Sequence, residues 1–220
     1  MLDVILEKSY HAAPAWEHIP QFDPTEPEFS GIRAITYDSM ERNGQKTATF
    51  AYLGIPESTD PVPAIVLVHG GGGHAFLPWV QMWMARGYAA IAMDTRGCFP
   101  AGVNGGSRLA GDPGFRHGMY DRFLRPGYTD SPDEDGMEHA ELPLEERWIA
   151  RALDKVIRAN NLLRSLPQVD EDRIGITGIS WGGVITTLTI TYDRRFAFAI
   201  PVYGSGYLDI APTTIGDNLR

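Results

Sequence analysis

The ten residues from Ile174 to Gly183 leave few ways to fold. A strand-forming run, Arg173–Thr177, enters Gly178-Ile179-Ser180-Trp181-Gly182, and a helix-compatible run follows. One serine stands at the tip of the turn, with a glycine two residues before it and two after. That is the spacing of a nucleophile elbow. Its cause is steric. The serine occupies a strained turn, and the flanking positions lie against neighbouring backbone where a Cβ would clash. Such a turn lifts Ser180 Oγ clear of the sheet. It also aims the N-terminus of the next helix at the same spot, where backbone N–H groups can stabilise an oxyanion. The plainer reading is a packing turn without chemistry.

The surrounding chain favours the chemical reading. A second glycine-rich turn, His69-Gly70-Gly71-Gly72-Gly73-His74, follows the apolar run Ala64–Val68. An acyl-transfer site needs its other oxyanion N–H donor at such a place. The chain is long enough, at 220 residues, for one sizeable core. A formal net charge of −9 argues against a nucleic-acid or anionic-membrane partner. No apolar run is long enough to cross a bilayer, and Met1–Lys8 lacks the features of a signal peptide. The single cysteine, Cys98, rules out an internal disulfide and fits a reducing cytoplasm. Nothing in the pattern calls for a cofactor, and no His/Cys cluster has metal-ligand spacing.

Taken in order, residues 1–30 read as an N-terminal arm. Pro14, Pro20, Pro24 and Pro27 break regular elements there, and Trp16, Phe22 and Phe29 are available to pin it to a surface. His11 and His18 read as surface residues. Residues 31–220 then read as one domain. Ile32–Tyr37 and Thr47–Leu53 form a hairpin around Asn43-Gly44. Ala64–Val68 and Tyr88–Met93 are buried strands, with a helix over 76–86 between them that has Pro78 in its first turn. Residues 98–143 lose all periodicity and read as a lid-like insertion over the strand ends, or as a solvated loop. Residues 144–166 form the clearest helix, with Ile149, Leu153, Val156 and Leu163 at helical spacing and Pro167 as its stop. After the elbow come a helix to about Ile190 and an apolar strand over 196–203. Alternating strands and helices predict an α/β fold with a mainly parallel sheet and helices on both faces.

Together these features resemble the α/β-hydrolase superfamily. More narrowly, they resemble the branch of prolyl-oligopeptidase-type peptidases, dienelactone hydrolases and acetyl xylan esterases. The resemblance rests on Val66-Leu67-Val68-His69-Gly70-Gly71-Gly72, on Asp94-Thr95-Arg96-Gly97, and on Val169–Gly175 leading into Gly178-Ile179-Ser180-Trp181-Gly182-Gly183. It implies that Ser180 is the nucleophile of a serine-dependent carboxylic ester hydrolase working through an acyl-enzyme, on a short-chain or acetyl-sugar ester. It also implies Trp181 N–H as one oxyanion donor and the backbone near Gly71 or Gly72 as the other. The residue after the serine is usually Gln in acetyl xylan esterases and is Trp181 here.

The resemblance also implies a chain order of serine, acid, then histidine. All six histidines precede Ser180, at positions 11, 18, 69, 74, 117 and 139. Three explanations compete. The fold is C-terminally incomplete in this chain, as a partial hydrolase of esterase or prolyl-oligopeptidase-like peptidase type. The chain is a catalytically inactive module that acts by association. Or the site is rebuilt with an upstream histidine: His74 beside the oxyanion turn, or His117 or His139 from the insertion. For His69 and His74, support of the glycine turn by hydrogen bonds is the plainer role. Asp209 follows the last strand, where some α/β hydrolases place their acid, and a surface or loop-capping role is the alternative. An apolar last strand with nothing after it to cover it predicts self-association, or a completing chain, through the open sheet edge.

Overall fold

The computed structural model describes residues 6–7, 9–42, 44–71, 73–97, 142–204 and 206. Seven strands form one sheet: β1 (Trp16–His18), β2 (Ile32–Arg42), β3 (Gln45–Gly54), β4 (Val62–Val68), β5 (Ala89–Met93), β6 (Val169–Ile179) and β7 (Phe198–Val202), in the order β1-β2-β3-β5-β4-β6-β7. The helices that flank it include α1 (Leu77–Met84), α2 (Trp148–Arg164) and α3 (Trp181–Tyr192).

The hairpin forms as its turn residues dictate. β2 and β3 pair antiparallel with Arg42 opposite Gln45, so the link is two residues long, and Gly44 takes φ +71. β3 then pairs antiparallel with β5, while β5–β4, β4–β6 and β6–β7 are parallel. β2 therefore runs in the same direction as β4, β5, β6 and β7, and the sheet is parallel in five of its seven strands.

Helices cover both faces. On one side Val66, Val68, Ile91, Met93, Ile174 and Ile176 pack against Leu153, Val156 and Ile157 of α2 and Ile185 of α3. On the other, Ile65, Leu67, Ala90 and Ala92 meet Leu77 and Val80 of α1. Strands covered on both faces must be apolar at consecutive positions, and β4 and β5 are.

Two elements differ from the sequence-based expectation. The arm is not free of regular structure: Trp16–His18 joins the sheet edge, with Trp16 opposite Tyr37 and His18 opposite Ile35. Its prolines flank the strand rather than interrupt it, which an edge strand tolerates. Leu6, Ile19 and Phe22 are buried, while His18 lies at the surface 2.7 Å from Asp23. The second difference is α2, which is buried on its polar side too: Arg151, Asp154, Lys155, Asn160 and Asn161 are all covered. The arm and the hairpin end lie there. Asp154 accepts from Ser9 Oγ (2.5 Å), Met40 N–H (2.8 Å) and Arg158 Nε (2.6 Å), while Asn161 donates to the Ser9 and Ala12 carbonyls. A buried carboxylate with three donors is a satisfied one.

α3 is helical despite its run of β-branched residues, as tertiary context overrides a weak propensity. Two of its threonines return their hydroxyls to the helix: Thr187 Oγ1 donates to the Gly183 carbonyl at 3.0 Å, and Thr191 Oγ1 to the carbonyls of Thr187 and Leu188. Residues 98–141 of the lid-like insertion lie outside the described residues. Among the described residues, no helix is long and apolar enough to cross a membrane.

Candidate active site

β6 enters the middle of the parallel part of the sheet and turns at Ser180 into α3. Ser180 has φ +56 and ψ −118 and is the N-cap residue of α3. A positive φ on a residue carrying a Cβ is uncommon and costs free energy, and such residues cluster at functional sites. The turn is held on all sides. The Ser180 N–H donates to the Val202 carbonyl of β7 at 2.9 Å. The Val184 N–H donates to the Ser180 carbonyl at 3.1 Å, the first i to i−4 bond of α3. Three N–H groups of the first turn, on Trp181, Gly182 and Gly183, therefore have no acceptor within the helix and stand at the positive end of its dipole.

The flanking glycines have the steric cause expected of them. A Cβ on Gly178 would run into the Gly182 carbonyl, and one on Gly182 would meet the carbonyls of Val68 and, at 2.8 Å, His69. Both obstacles are backbone, so neither can swing aside.

The same packing brings the second glycine turn against the elbow. A Cβ on Gly70 would lie 2.9 Å from the Ile179 carbonyl oxygen and 3.3 Å from Ser180 Cβ, and one on Gly71 would lie 2.7 Å from Trp181 Cδ1. Gly70 and Gly71 thus lie beside Ser180 and Trp181, although more than one hundred residues separate them in sequence. The Trp181 ring also meets Trp148 of α2 edge-on, with centroids 5.7 Å apart. The other oxyanion candidate, Gly72, lies outside the described residues, as do Asp209, His117 and His139.

The two histidines of the turn differ. His69 is buried and bonded at both ring nitrogens: Nδ1 is 2.7 Å from the Gly70 carbonyl, and Nε2 is 3.0 Å from both the Thr95 N–H and Thr95 Oγ1. Burial lowers its pKa. His74 is buried against Phe76, with ring centroids 4.0 Å apart. Burial, and then the charges of His69 and Arg96, push it down to about 4. A general base works best with a pKa near the operating pH, so His74 is poorly matched to that task at neutral pH. Asp94 stays in its turn and accepts the Arg96 N–H at 2.8 Å. Among the described residues, no group of His, Cys, Asp and Glu could hold a metal ion.

Beside the elbow, on the α1 face, lies an apolar groove of about 200 Å³ lined by Leu67, Trp79, Met82, Trp83, Ile179 and Val202, among others. β7 ends next to it with Ile200, Val202 and Tyr203 exposed. Tyr203 also has a positive φ of +36, and its carbonyl stands where a Cβ on Gly183 would fall. The sequence alone did not single out Tyr203, because the motif ends at Gly183 and only the sheet order brings the end of β7 to the elbow.

Comparison with known proteins finds both esterase and peptidase relatives. The model of the acetyl xylan esterase (AXE1) family matches residues 15–205. The structure of an acetyl xylan esterase from Paenibacillus sp. R4 superposes with a TM-score of 0.61 at 20% identity, over 91% of this chain and 58% of that one. Acetyl xylan esterase 1 from Thermoanaerobacterium sp. JW/SL YS485 superposes with a TM-score of 0.60 at 15% identity, over 91% and 57%. Among curated proteins, an uncharacterized peptidase of Bacillus subtilis (strain 168), YuxL, is 25% identical over 148 residues, covering 66% of this chain and 17% of YuxL. The chain thus spans less than two thirds of the length of each of these relatives.

Proposed function

Since the chain belongs to the acetyl xylan esterase family, we propose that it is a serine-dependent carboxylic ester hydrolase with Ser180 as its nucleophile. The observation that carries the reading is the strained Ser180 backbone, set between the N-terminus of α3 and the Gly70-Gly71 turn. Ser180 Oγ attacks the ester carbonyl carbon as a base takes its proton. The oxyanion of the tetrahedral intermediate is met by the Trp181 N–H and by an N–H of the Gly71–Gly72 turn. The C–O bond to the alcohol breaks, the alcohol leaves with a proton, and water releases the acyl group from Ser180. A short acyl group, such as the acetyl of an acetylated sugar, is the substrate class we assign, and the site is cytoplasmic.

His69 has both nitrogens committed to the backbone of Gly70 and Thr95, and His74, with its pKa held down to about 4 by burial, is a weak candidate for the base. Residues beyond the described ones, in this chain or a second one, supply the base and the acid, with Asp209 as the in-chain candidate for the acid. Hydrolysis of p-nitrophenyl acetate tests the reading: Ser180→Ala abolishes it. Turnover that survives the substitution removes Ser180 from the mechanism.

A second reading is favoured by β7. Its outer edge and the neighbouring groove present Ile200, Val202 and Met82 to solvent. A module that works by association through this edge, with a second copy or a completing chain, accounts for that exposure. Light scattering decides: a mass that is independent of concentration and equal to one chain argues against it.

A further inference from the structure

His69 is a buried titratable group that the proposed reaction does not use. Its two partners leave one protonation state. The Gly70 carbonyl can only accept, so Nδ1 carries the hydrogen. The Thr95 backbone N–H can only donate, so Nε2 is bare. The ring is therefore the neutral Nδ1–H tautomer. Beyond Thr95 the chain of bonds continues into α2: the Thr95 carbonyl accepts Trp148 Nε1–H at 3.0 Å and Lys155 Nζ at 3.1 Å. On the other side, the Gly70 carbonyl also accepts the Gly73 N–H at 3.0 Å, which closes the glycine turn against the elbow.

We propose that His69 is a positioning residue: locked between Thr95 and Gly70, it transmits the position of α2 to the Gly70-Gly71 turn and so sets where the Gly71 N–H stands relative to Ser180. This rests on the reading of Ser180 as nucleophile. An oxyanion donor acts only within a narrow range of positions, so its support matters as much as its presence. A proton added to Nε2 would turn the ring's acceptor into a donor facing the Thr95 N–H, and the link would break. The charged and titratable groups around the ring act in both directions. Asp94 favours that proton, while Arg96 and Lys155 oppose it, and His74 is a further titratable neighbour.

The test is NMR on ¹⁵N-labelled protein. The unsubstituted chain should show the His69 ring protonated at Nδ1 and bare at Nε2, and unchanged on acidification to about pH 6.5, where an exposed histidine is half-charged. The opposite tautomer, or ordinary titration, overturns the proposal. Lys155→Met removes one donor to the Thr95 carbonyl and leaves every residue of the glycine turn unsubstituted. It should shift the His69 ring and the Gly70 and Gly71 amides. Where ester turnover is measured, kcat should fall by up to about 10²-fold with KM little changed. Shifts that stop at Thr95 contradict the coupling. If the unsubstituted protein does not turn over ester at all, the functional reading fails while the NMR result still decides the positioning role.

Discussion

Substituting Ser180 with alanine and with glycine separates backbone strain from side-chain chemistry. The residue holds φ +56 and ψ −118, and a Cβ in such a conformation costs on the order of 1–3 kcal/mol. The serine side chain makes no capping bond to α3, so S180A removes the hydroxyl and keeps the strain. S180G removes both. Glycine also frees the unfolded chain, which costs about 0.4–1 kcal/mol. The balance predicts that S180G is more stable than S180A by about 1 kcal/mol, or about 2–4 °C in Tm for a chain of this size. Urea unfolding followed by tryptophan fluorescence gives the difference directly, with equal m-values as the check that only stability changed. Equal stabilities, or a more stable alanine variant, would refute the claim that this turn stores strain.

Other perturbations have equally definite outcomes. Gly182→Ala places a Cβ against the Val68 and His69 carbonyls and should cost about 3 kcal/mol or more, whereas Gly71→Ala first meets the Trp181 side chain rather than backbone and should cost about 1; urea titrations rank the two. His74 has a folded pKa of about 4 against about 6.5 unfolded. Between these values the unfolded chain binds more protons, so the stability it contributes is complete above about pH 6.5 and is lost as the pH falls toward 4. The full displacement is equivalent to roughly 3 kcal/mol, and solvent screening reduces it, so His74→Phe should flatten that part of the stability–pH curve by about 2 kcal/mol; an unchanged slope would count against it. Asp154→Ala strands the Ser9 hydroxyl, the Met40 N–H and Arg158. It should cost about 3 kcal/mol and open residues 9–12 to limited proteolysis, read by mass spectrometry.

Where the local pattern carries the physics, the sequence was a good guide. The elbow was legible because two glycines must stand where backbone leaves no room. The hairpin was legible because Asn43-Gly44 suits a two-residue turn. β4 and β5 were legible because only strands covered on both faces are apolar throughout. What was not legible depends on distant pairing. Nothing near residue 89 says that β5 inserts between β3 and β4. The arm's prolines hid β1, because an edge strand needs so few ladder bonds. Apolar spacing marked the sheet side of α2 but missed Asp154 and Asn161, whose partners lie more than one hundred residues upstream, and Lys155, whose partner Thr95 lies 60 residues upstream. The glycine turn and the Asp94-Thr95 turn were each singled out, yet the His69 bond that joins them crosses 26 residues and leaves no local trace. Asp209 and the insertion of 98–141 stay outside the described residues, so their part in the site rests on proposal alone.

The central claim is that Ser180 is an activated nucleophile. Its most direct test is labelling with a fluorophosphonate probe, read by intact mass on the unsubstituted protein and on Ser180→Ala. The account predicts a single adduct on the former and none on the latter. An adduct that persists in Ser180→Ala, or none on the unsubstituted protein, would contradict it.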